Sequence, residues 1–304
     1  MKLETPIVAI GEILWDLLPT GPRVGGAPFN FAFHCHRLGH PAIMVSRVGN
    51  DDLGRALRTE VRRLGMSDEY IQIDPEHPTG TVKVKLDAVG QPTYTITETV
   101  AWDFLEWDER LWDLAQPGGA GCFGTLARRH PRSRETIRQF FESARSSRLV
   151  VCDINLRPPF VDRHAVVSSV RLADWIKVNE DEATELVRML GTPWEEVFPD
   201  DELGHTDADD LFGATGKSLV CITRGRNGAH IRTSNESIRV PGIAAKVADT
   251  VGAGDAFTAA LLTQHLEGKS LREAARFANA YAAVVVSKPG GTPTVNRAEV
   301  ERLL

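Results

Sequence analysis

Short apolar runs alternate with amphipathic helical stretches through most of this chain, and no other feature constrains its fold as tightly. Strand-like runs recur at 7–11, 42–48, 149–154, 174–178 and 219–223, and helical patterns lie between or after most of them, at about 28–38, 53–64, 133–146, 180–190 and 207–214. That alternation predicts an α/β fold with a mostly parallel central sheet covered by helices on both faces. Gly39, Gly65 and Gly191 each follow an apolar helical run, in the position a left-handed C-cap takes. The chain has 304 residues and 42% apolar content, enough to bury a large core. With no repeat, low-complexity tract or linker in view, a single domain spanning 1–304 is expected.

One segment breaks the alternation. From Thr81 the sequence reads Val-Lys-Val-Lys-Leu-Asp-Ala-Val-Gly-Gln-Pro-Thr-Tyr-Thr-Ile-Thr-Glu, two period-two runs joined by a turn centred on Val89-Gly90-Gln91-Pro92. This predicts an antiparallel hairpin in a small second sheet, one face of which is covered by something other than the main core.

The charge balance excludes some functions. A formal net charge of −6, with scattered rather than clustered Lys and Arg, leaves no footprint for nucleic-acid binding. No stretch approaches a transmembrane run, and no apolar span of signal-peptide length follows Met1-Lys-Leu-Glu-Thr-Pro6, so the cytoplasm is the expected compartment. Cys35, Cys122, Cys152 and Cys221 form no Cys-x-x-Cys pair and read as reduced core residues.

The chemistry concentrates in Asp249-Thr250-Val251-Gly252-Ala253-Gly254-Asp255, a polar loop running into the apolar helical stretch that continues to Leu266. A helix beginning at Gly252 or Ala253 has orphan first-turn amides and a positive dipole end, which attract an anion, and Gly252 and Gly254 let it approach the backbone. For an isolated Asp255 the plain reading is dipole complementation, worth about 0.3–1 kcal/mol. Between these features the same carboxylate is placed to take a proton from a hydroxyl attacking a bound phosphate.

Asp249 to Asp255 resembles the C-terminal signature of the ribokinase-like, or PfkB, carbohydrate kinases. A second block, Gly25-Gly26-Ala27-Pro28-Phe29-Asn30-Phe31-Ala32 followed by Leu38-Gly39 and Gly49-Asn50-Asp51-Asp52-Leu53-Gly54, resembles the family's N-terminal signature in content and order. The resemblance implies a ribokinase-like three-layer fold, with a small β-sheet lid over the sugar site formed from about 12–24 and 79–105. It implies ATP-dependent phosphoryl transfer, with Asp255 as the base and Gly252, Ala253 and Gly254 as the phosphate cradle. Edge pairing of such lids makes a homodimer the expected assembly.

The remaining candidates each carry a bland reading as well. Gly25-Gly26 is either a flexible helix entry or a place where a sugar lies against the backbone, and the Asn30 amide suits a sugar hydroxyl. Asp16, beyond the first strand, matches a family Asp that holds two neighbouring hydroxyls; otherwise it is a solvated turn residue. Asp153-Ile-Asn155-Leu-Arg157 emerges at a strand's carboxyl end, where open α/β sheets bind ligands. It resembles a motif that puts Asn155 near the phosphates, while Arg157 either clamps phosphate or substrate or pairs with Asp153. Asn179 and Glu182 cap a helix, and by resemblance organise Mg²⁺ through water. Thr223-Arg-Gly225-Arg-Asn-Gly228 is a hairpin turn or the family's nucleotide-binding turn. Asn279 and the loop Pro289-Gly290-Gly291-Thr292 resemble the adenine region, and Asp249 with nearby carbonyls resembles a potassium site.

Three decoys are set aside. Gly216-Lys217-Ser218 imitates a P-loop end but precedes a strand instead of following one. His34 and His36 point apart on a helix, so they read as core and surface histidines, not metal ligands. Trp102, Phe104, Trp107 and Trp112 read as packing.

Gly11-Glu-Ile-Leu-Trp-Asp16, the Asp153-x-Asn155-x-Arg157 block and Ile96 to Asp103 resemble bacterial fructokinases more than ribokinases or nucleoside kinases, which implies D-fructose as substrate. Another small sugar, a sugar acid such as 2-keto-3-deoxygluconate, a nucleoside, or an idle sugar sensor are the alternatives. Phe29 and Phe31 depart from the family's smaller residues and are expected to narrow the sugar pocket.

Overall fold

The computed structural model describes residues 5–18, 21–86, 92–143, 147–191 and 206–304. Their strands are β1 (Ile7–Ile10), β2 (Leu14–Leu18), β3 (Gly21–Gly25), β4 (Ala42–Gly49), β5 (Ile71–Asp74), β6 (Thr81–Leu86), β7 (Pro92–Ile96), β8 (Gly119–Gly124), β9 (Arg148–Asp153), β10 (Trp175–Asn179), β11 (Leu219–Thr223), β12 (Ala229–Thr233) and β13 (Ser237–Val240). Their α-helices are α1 (Ala27–Arg37), α2 (Asp52–Arg63), α3 (Glu109–Ala115), α4 (Pro131–Ser143), α5 (Arg163–Leu172), α6 (Glu180–Leu190), α7 (Ala208–Thr215), α8 (Ala253–Leu266), α9 (Leu271–Val286) and α10 (Arg297–Glu301).

Nine strands form one sheet in the order β13-β12-β11-β10-β9-β8-β1-β4-β5. From β5 through β11 neighbouring strands are parallel, and β12 and β13 add an antiparallel edge. The chain starts centrally at β1, builds outward through β4 and β5, then returns to the other side of β1 with β8. Such a reversal opens a crevice at the strands' carboxyl ends, where ligands bind in open α/β sheets.

Period-two burial splits each central strand between two cores. Ile7 and Ala9 pack in one apolar cluster with α1, α2, α8 and α9. Val8 and Ile10 pack in the other, with α3 to α7. Three layers result, as the alternation of runs predicts.

The second sheet has the order β3-β2-β6-β7. β2 and β3 form an antiparallel pair that sets Asp16 opposite Arg23, β6 lies parallel to β2, and β7 closes an antiparallel hairpin with β6. The hairpin is the expected one, though Val89, Gly90 and Gln91 of its turn lie outside the described residues. Gly39, Gly65 and Gly191 all have positive φ, as their C-cap positions require.

Several elements differ from the sequence reading. β8 reads Gly-Ala-Gly-Cys-Phe-Gly and carries little strand propensity, yet it is central, because Gly121 leaves room for Phe141: a Cβ there would lie 2.6 Å from the ring. α3 and α5 were not among the expected helices, and the helix expected over 133–146 spans Pro131–Ser143, with 144–146 outside the described residues. Phe29 and Phe31 are 0% and 2% exposed and pack in the α1/α8 core, so their bulk goes into the fold and not into narrowing a sugar pocket. All four cysteines are free and buried, and no helix among the described residues is long and apolar enough to cross a membrane.

Trp102 is fully buried in the second apolar cluster, where its indole nitrogen side abuts Gly80 at the entry to β6 and the Arg129 guanidinium stacks on its ring at 4.1 Å. Trp102→Ala is expected to lower unfolding free energy by about 3–5 kcal/mol. A urea titration that finds less than about 1 kcal/mol would contradict this packing role.

Candidate active site

Two helix N-termini meet at Asp255. α8 starts after Gly252, whose φ of 76° is a left-handed conformation open to glycine. The same glycine is pressed against the 289–292 loop, since a Cβ on it would fall 2.6 Å from the Gly291 backbone. α1 starts after Gly26, with φ 109°, where a Cβ would fall 2.4 Å from the Glu12 carbonyl oxygen. From the first turn of α1, Asn30 Nδ2 donates a 2.8 Å hydrogen bond to Asp255 Oδ2. Asn30 Oδ1 is buried without a partner.

Asp255 is 8% exposed, and its pKa rises to about 7. Burial is the main cause and the nearby Asp153 charge the next; the Asn30 hydrogen bond, Lys177 and Arg157 pull the other way. A carboxyl tuned to neutrality can alternate between proton acceptor and donor near physiological pH.

Beneath this turn lies a buried charge cluster. The β9/β10 register sets Lys177 opposite Asp153. Lys177 Nζ ion-pairs with Asp153 Oδ1 at 3.1 Å, and Thr258 Oγ1 donates to Asp153 Oδ2 at 3.0 Å. A Cβ on Gly254 would lie 2.8 Å from Lys177 Nζ, so that glycine makes room for an ammonium at the base of the α8 amides. Burial alone would lower the Lys177 pKa, but Asp153, Glu182 and Asp255 raise it above its ordinary value and keep the ammonium charged.

Glu182 belongs to a reciprocal capping box on α6. Its amide donates to Asn179 Oδ1 at 2.8 Å, and its Oε2 accepts from Asn179 N at 2.9 Å. Glu182 Oε1 also accepts from Leu156 N at 2.8 Å, tying the 154–157 segment to the helix. Burial raises the Glu182 pKa despite the opposing pull of Lys177.

Three further charged groups belong to the surroundings of the turn: Asp16 on β2, Glu12 after β1 and Arg157 after β9. Asp16 Oδ2 sits over Gly25, where a Cβ would approach to 2.2 Å, so a side chain at 25 would displace the carboxylate. The Asp16 pKa rises to about 6 through burial and then Asp249, with Arg157 opposing. Glu12, 3% exposed at the end of β1, is raised to about 7 by burial, and its Oε2 has no partner. Arg157 moderates all three carboxyls, Glu12, Asp16 and Asp255.

Of the two fates expected for Arg157, pairing with Asp153 is not made: Lys177 takes that carboxylate, and Arg157 Nη1 donates to Leu156 O at 3.1 Å. Asn155 stands beside it with φ 45°, one of two non-glycine residues among those described with positive φ.

The remaining candidates are more peripheral. Thr223 ends β11, and Gly225–Asn227 form a 3-10 turn into antiparallel β12, closed by Arg224 N to Gly228 O at 2.7 Å. The segment is therefore a hairpin turn in geometry. Gly228, with φ 90°, packs so closely that a Cβ would meet Val240 O at 2.0 Å. Asn279, on α9, donates to Pro241 O at 2.9 Å. Asp249 accepts from Val251 N at 3.0 Å and from Gly290 N at 2.9 Å, joining the two loops. Gly216 caps α7 with φ 61°, which disposes of the P-loop resemblance.

Sequence reasoning missed Lys177 and Glu12 as site residues. Lys177 did leave a signal: neighbouring Trp175 faces the α8 core and Ile176 and Val178 the other, so position 177 is a buried slot filled by a cation.

The α/β architecture, the glycine-lined helix start and the buried carboxyl together fit what phosphoryl transfer requires. The pfkB family carbohydrate kinase model matches residues 20–298, and the chain belongs to that family. A protein of Arabidopsis thaliana named "probable fructokinase-7" is 32% identical over 96% of this chain and 90% of its own length. A sugar kinase structure from Pyrococcus horikoshii in complex with ATP superposes with a TM-score of 0.80 at 27% identity, covering 98% of this chain and all of the other. A Vibrio cholerae fructokinase structure with fructose, ADP and potassium bound superposes with a TM-score of 0.82 at 25% identity, over 100% of this chain and 99% of the other. The protein is a sugar kinase of the PfkB family.

The Asp255 environment sets two pH dependences. Turnover is expected to rise with pH through a midpoint near 7 as Asp255 loses its proton, readable as kcat/KM against pH. Stability runs the opposite way. The folded-state pKa lies above the ordinary 3.8, so the unfolded chain releases this proton first and the carboxyl's contribution to stability is lost as pH rises toward 7. Asp255→Asn is thus expected to raise Tm, by more at about pH 8 than at about pH 5. A lower Tm at both values would contradict the strain assigned to the buried charge.

Proposed function

We propose that this sugar kinase transfers the γ-phosphoryl group of ATP to a hydroxyl of D-fructose, with Asp255 as the base. The observation that supports this most directly is the Asn30 to Asp255 hydrogen bond, which fixes a carboxyl tuned to neutrality beside the amides of α8. In this reading the phosphates lie on Gly252, Ala253 and Gly254, over the Lys177 ammonium. The sugar lies against Asp16, Gly25, Gly26, Asn30, Asn155 and Arg157, under a lid made of the small sheet. Asp255 takes the hydroxyl proton as the sugar oxygen attacks. Because such transition states are loose, positioning and charge neutralisation carry most of the rate and the base about 10²–10⁴ of it.

Asn179, Glu182, Thr223, Gly225, Gly228 and Asn279 are assigned to the nucleotide. Mg²⁺ would neutralise the phosphates. Both Glu182 oxygens already accept from backbone amides, which suits contact through water better than direct coordination. Asp249 and neighbouring carbonyls are assigned to potassium, an ion that the similar Vibrio cholerae fructokinase structure contains. A homodimer paired through lid edges, a single 1–304 kinase domain and a cytoplasmic location complete the proposal.

A neutral sugar is favoured over a sugar acid, because Arg157 already offsets the three carboxyls Glu12, Asp16 and Asp255, and a substrate carboxylate would compete for that one cation. A nucleoside is disfavoured because Phe29 and Phe31, the rings that could stack on a base, are in the core.

Mg·ATP-dependent ADP release against fructose, ribose, glucose, mannose, 2-keto-3-deoxygluconate and adenosine tests the substrate, with Asp255→Asn beside the wild type. Fructose is expected to give the highest kcat/KM, and Asp255→Asn to lose about 10²–10⁴ of turnover. Preference for another panel member would move the substrate, and a folded, active Asp255→Asn would remove the base from Asp255.

A further inference from the structure

One buried imidazole reaches the site from behind. His34 lies on α1 one turn beyond Asn30 and is fully buried. Its Nε2 is 2.9 Å from Gly291 O, and its Nδ1 is 3.1 Å from the Tyr281 hydroxyl on α9. A carbonyl can only accept, so Nε2 carries the hydrogen and Nδ1 accepts from Tyr281. Burial lowers the His34 pKa to about 4, which keeps the ring neutral and that tautomer in place. The rings of Phe33 and Tyr281 meet it edge-on, with centroids at 5.3 and 5.4 Å.

What His34 holds is the backing of the catalytic turn. A Cβ on Gly252 would strike Gly291, and a Cβ on Gly291 would come within 2.9 Å of the Asn30 amide nitrogen. Gly291 therefore supports both the residue that starts α8 and the residue that holds Asp255. Asp249 fixes the same loop one residue earlier, through Gly290 N. His34 supplies the side-chain bond to the Gly291 carbonyl itself.

We propose that His34 is a positioning residue for phosphoryl transfer, setting the Gly291 backbone against Gly252 and Asn30 so that the α8 amides and Asp255 keep their relative placement. This rests on the reading of Gly252 to Asp255 as the phosphate and base turn. The competing account is a core histidine that satisfies two buried polar groups and only stabilises the fold.

The two accounts separate in kinetics. His34→Phe keeps a ring and removes both hydrogen bonds. It is expected to lower kcat by about 10- to 100-fold and to raise KM for Mg·ATP, as a displacement on the order of 1 Å in a reacting group would. His34→Gln retains a donor for Gly291 and is expected to recover most of that loss. A folded His34→Phe enzyme with lowered Tm but wild-type kcat and KM overturns the proposal, as does a His34→Gln variant no better than His34→Phe. Should His34→Phe fail to fold, His34→Met, which also removes both bonds, takes its place: a loss of about threefold or more in kcat supports positioning, and an unchanged kcat overturns it. Asp255→Asn is run in parallel. If it keeps turnover, the underlying reading of the turn fails; if it is inactive while the His34 variants match the wild type, only the role of His34 fails.

Discussion

A hydrogen bond between residues 225 positions apart, from Asn30 to Asp255, is the contact on which the site depends. It joins the first turns of two helices that lie against each other in one apolar core. Each helix begins at a glycine that the opposing backbone would not let become any other residue, Gly26 against Glu12 and Gly252 against Gly291. Two positive helix ends thus converge on one carboxyl. The helix dipoles favour its ionised form, by roughly 0.3–1 kcal/mol each when exposed, while burial and neighbouring carboxylates oppose it more strongly. The outcome is a group poised near neutrality.

The same balance explains the cation beneath the turn. Asp153, Glu182 and Asp255 would be an untenable group of buried negative charges without Lys177, whose ammonium stands among them. Parallel register brings Lys177 level with Asp153 on the adjacent strand, and the absence of a side chain at Gly254 lets the ammonium reach the α8 amides. The Lys177–Asp153 pair at its centre is therefore a product of the sheet.

Much of this was legible in the sequence because it rests on local signals. Gly252, Gly254 and Asp255 mark a helix start with an acid in its first turn, Asn179 and Glu182 spell a capping box, and Gly39, Gly65 and Gly191 mark helix ends. What was not legible is tertiary. β8 is a central strand despite three glycines, since Gly121 is demanded by Phe141, which lies twenty residues on. Arg157 could be assigned no partner until strand register gave Asp153 to Lys177. Phe29 and Phe31 invited a reading as pocket residues because they flank Asn30, yet helix geometry turns them away from it and into the core.

His34 illustrates the harder case. Nothing about a histidine at the sixth position after a helix-starting proline signals a role, and its spacing from His36 excludes the obvious one. Its significance comes from a loop more than 250 residues away that lies between Gly252 and Asn30. A structural role does not exclude a catalytic one at such a position, nor at Asn179 and Glu182, where the atoms that cap α6 are those assigned to organise the phosphates. A cap whose acceptors are filled by backbone amides is rigid, and a rigid acid holds water in one arrangement. Where the bonds that cap a helix are made by residues assigned to the chemistry, loss of stability on mutating them is no evidence against a role in turnover. Only the separation of kcat and KM from Tm can assign one.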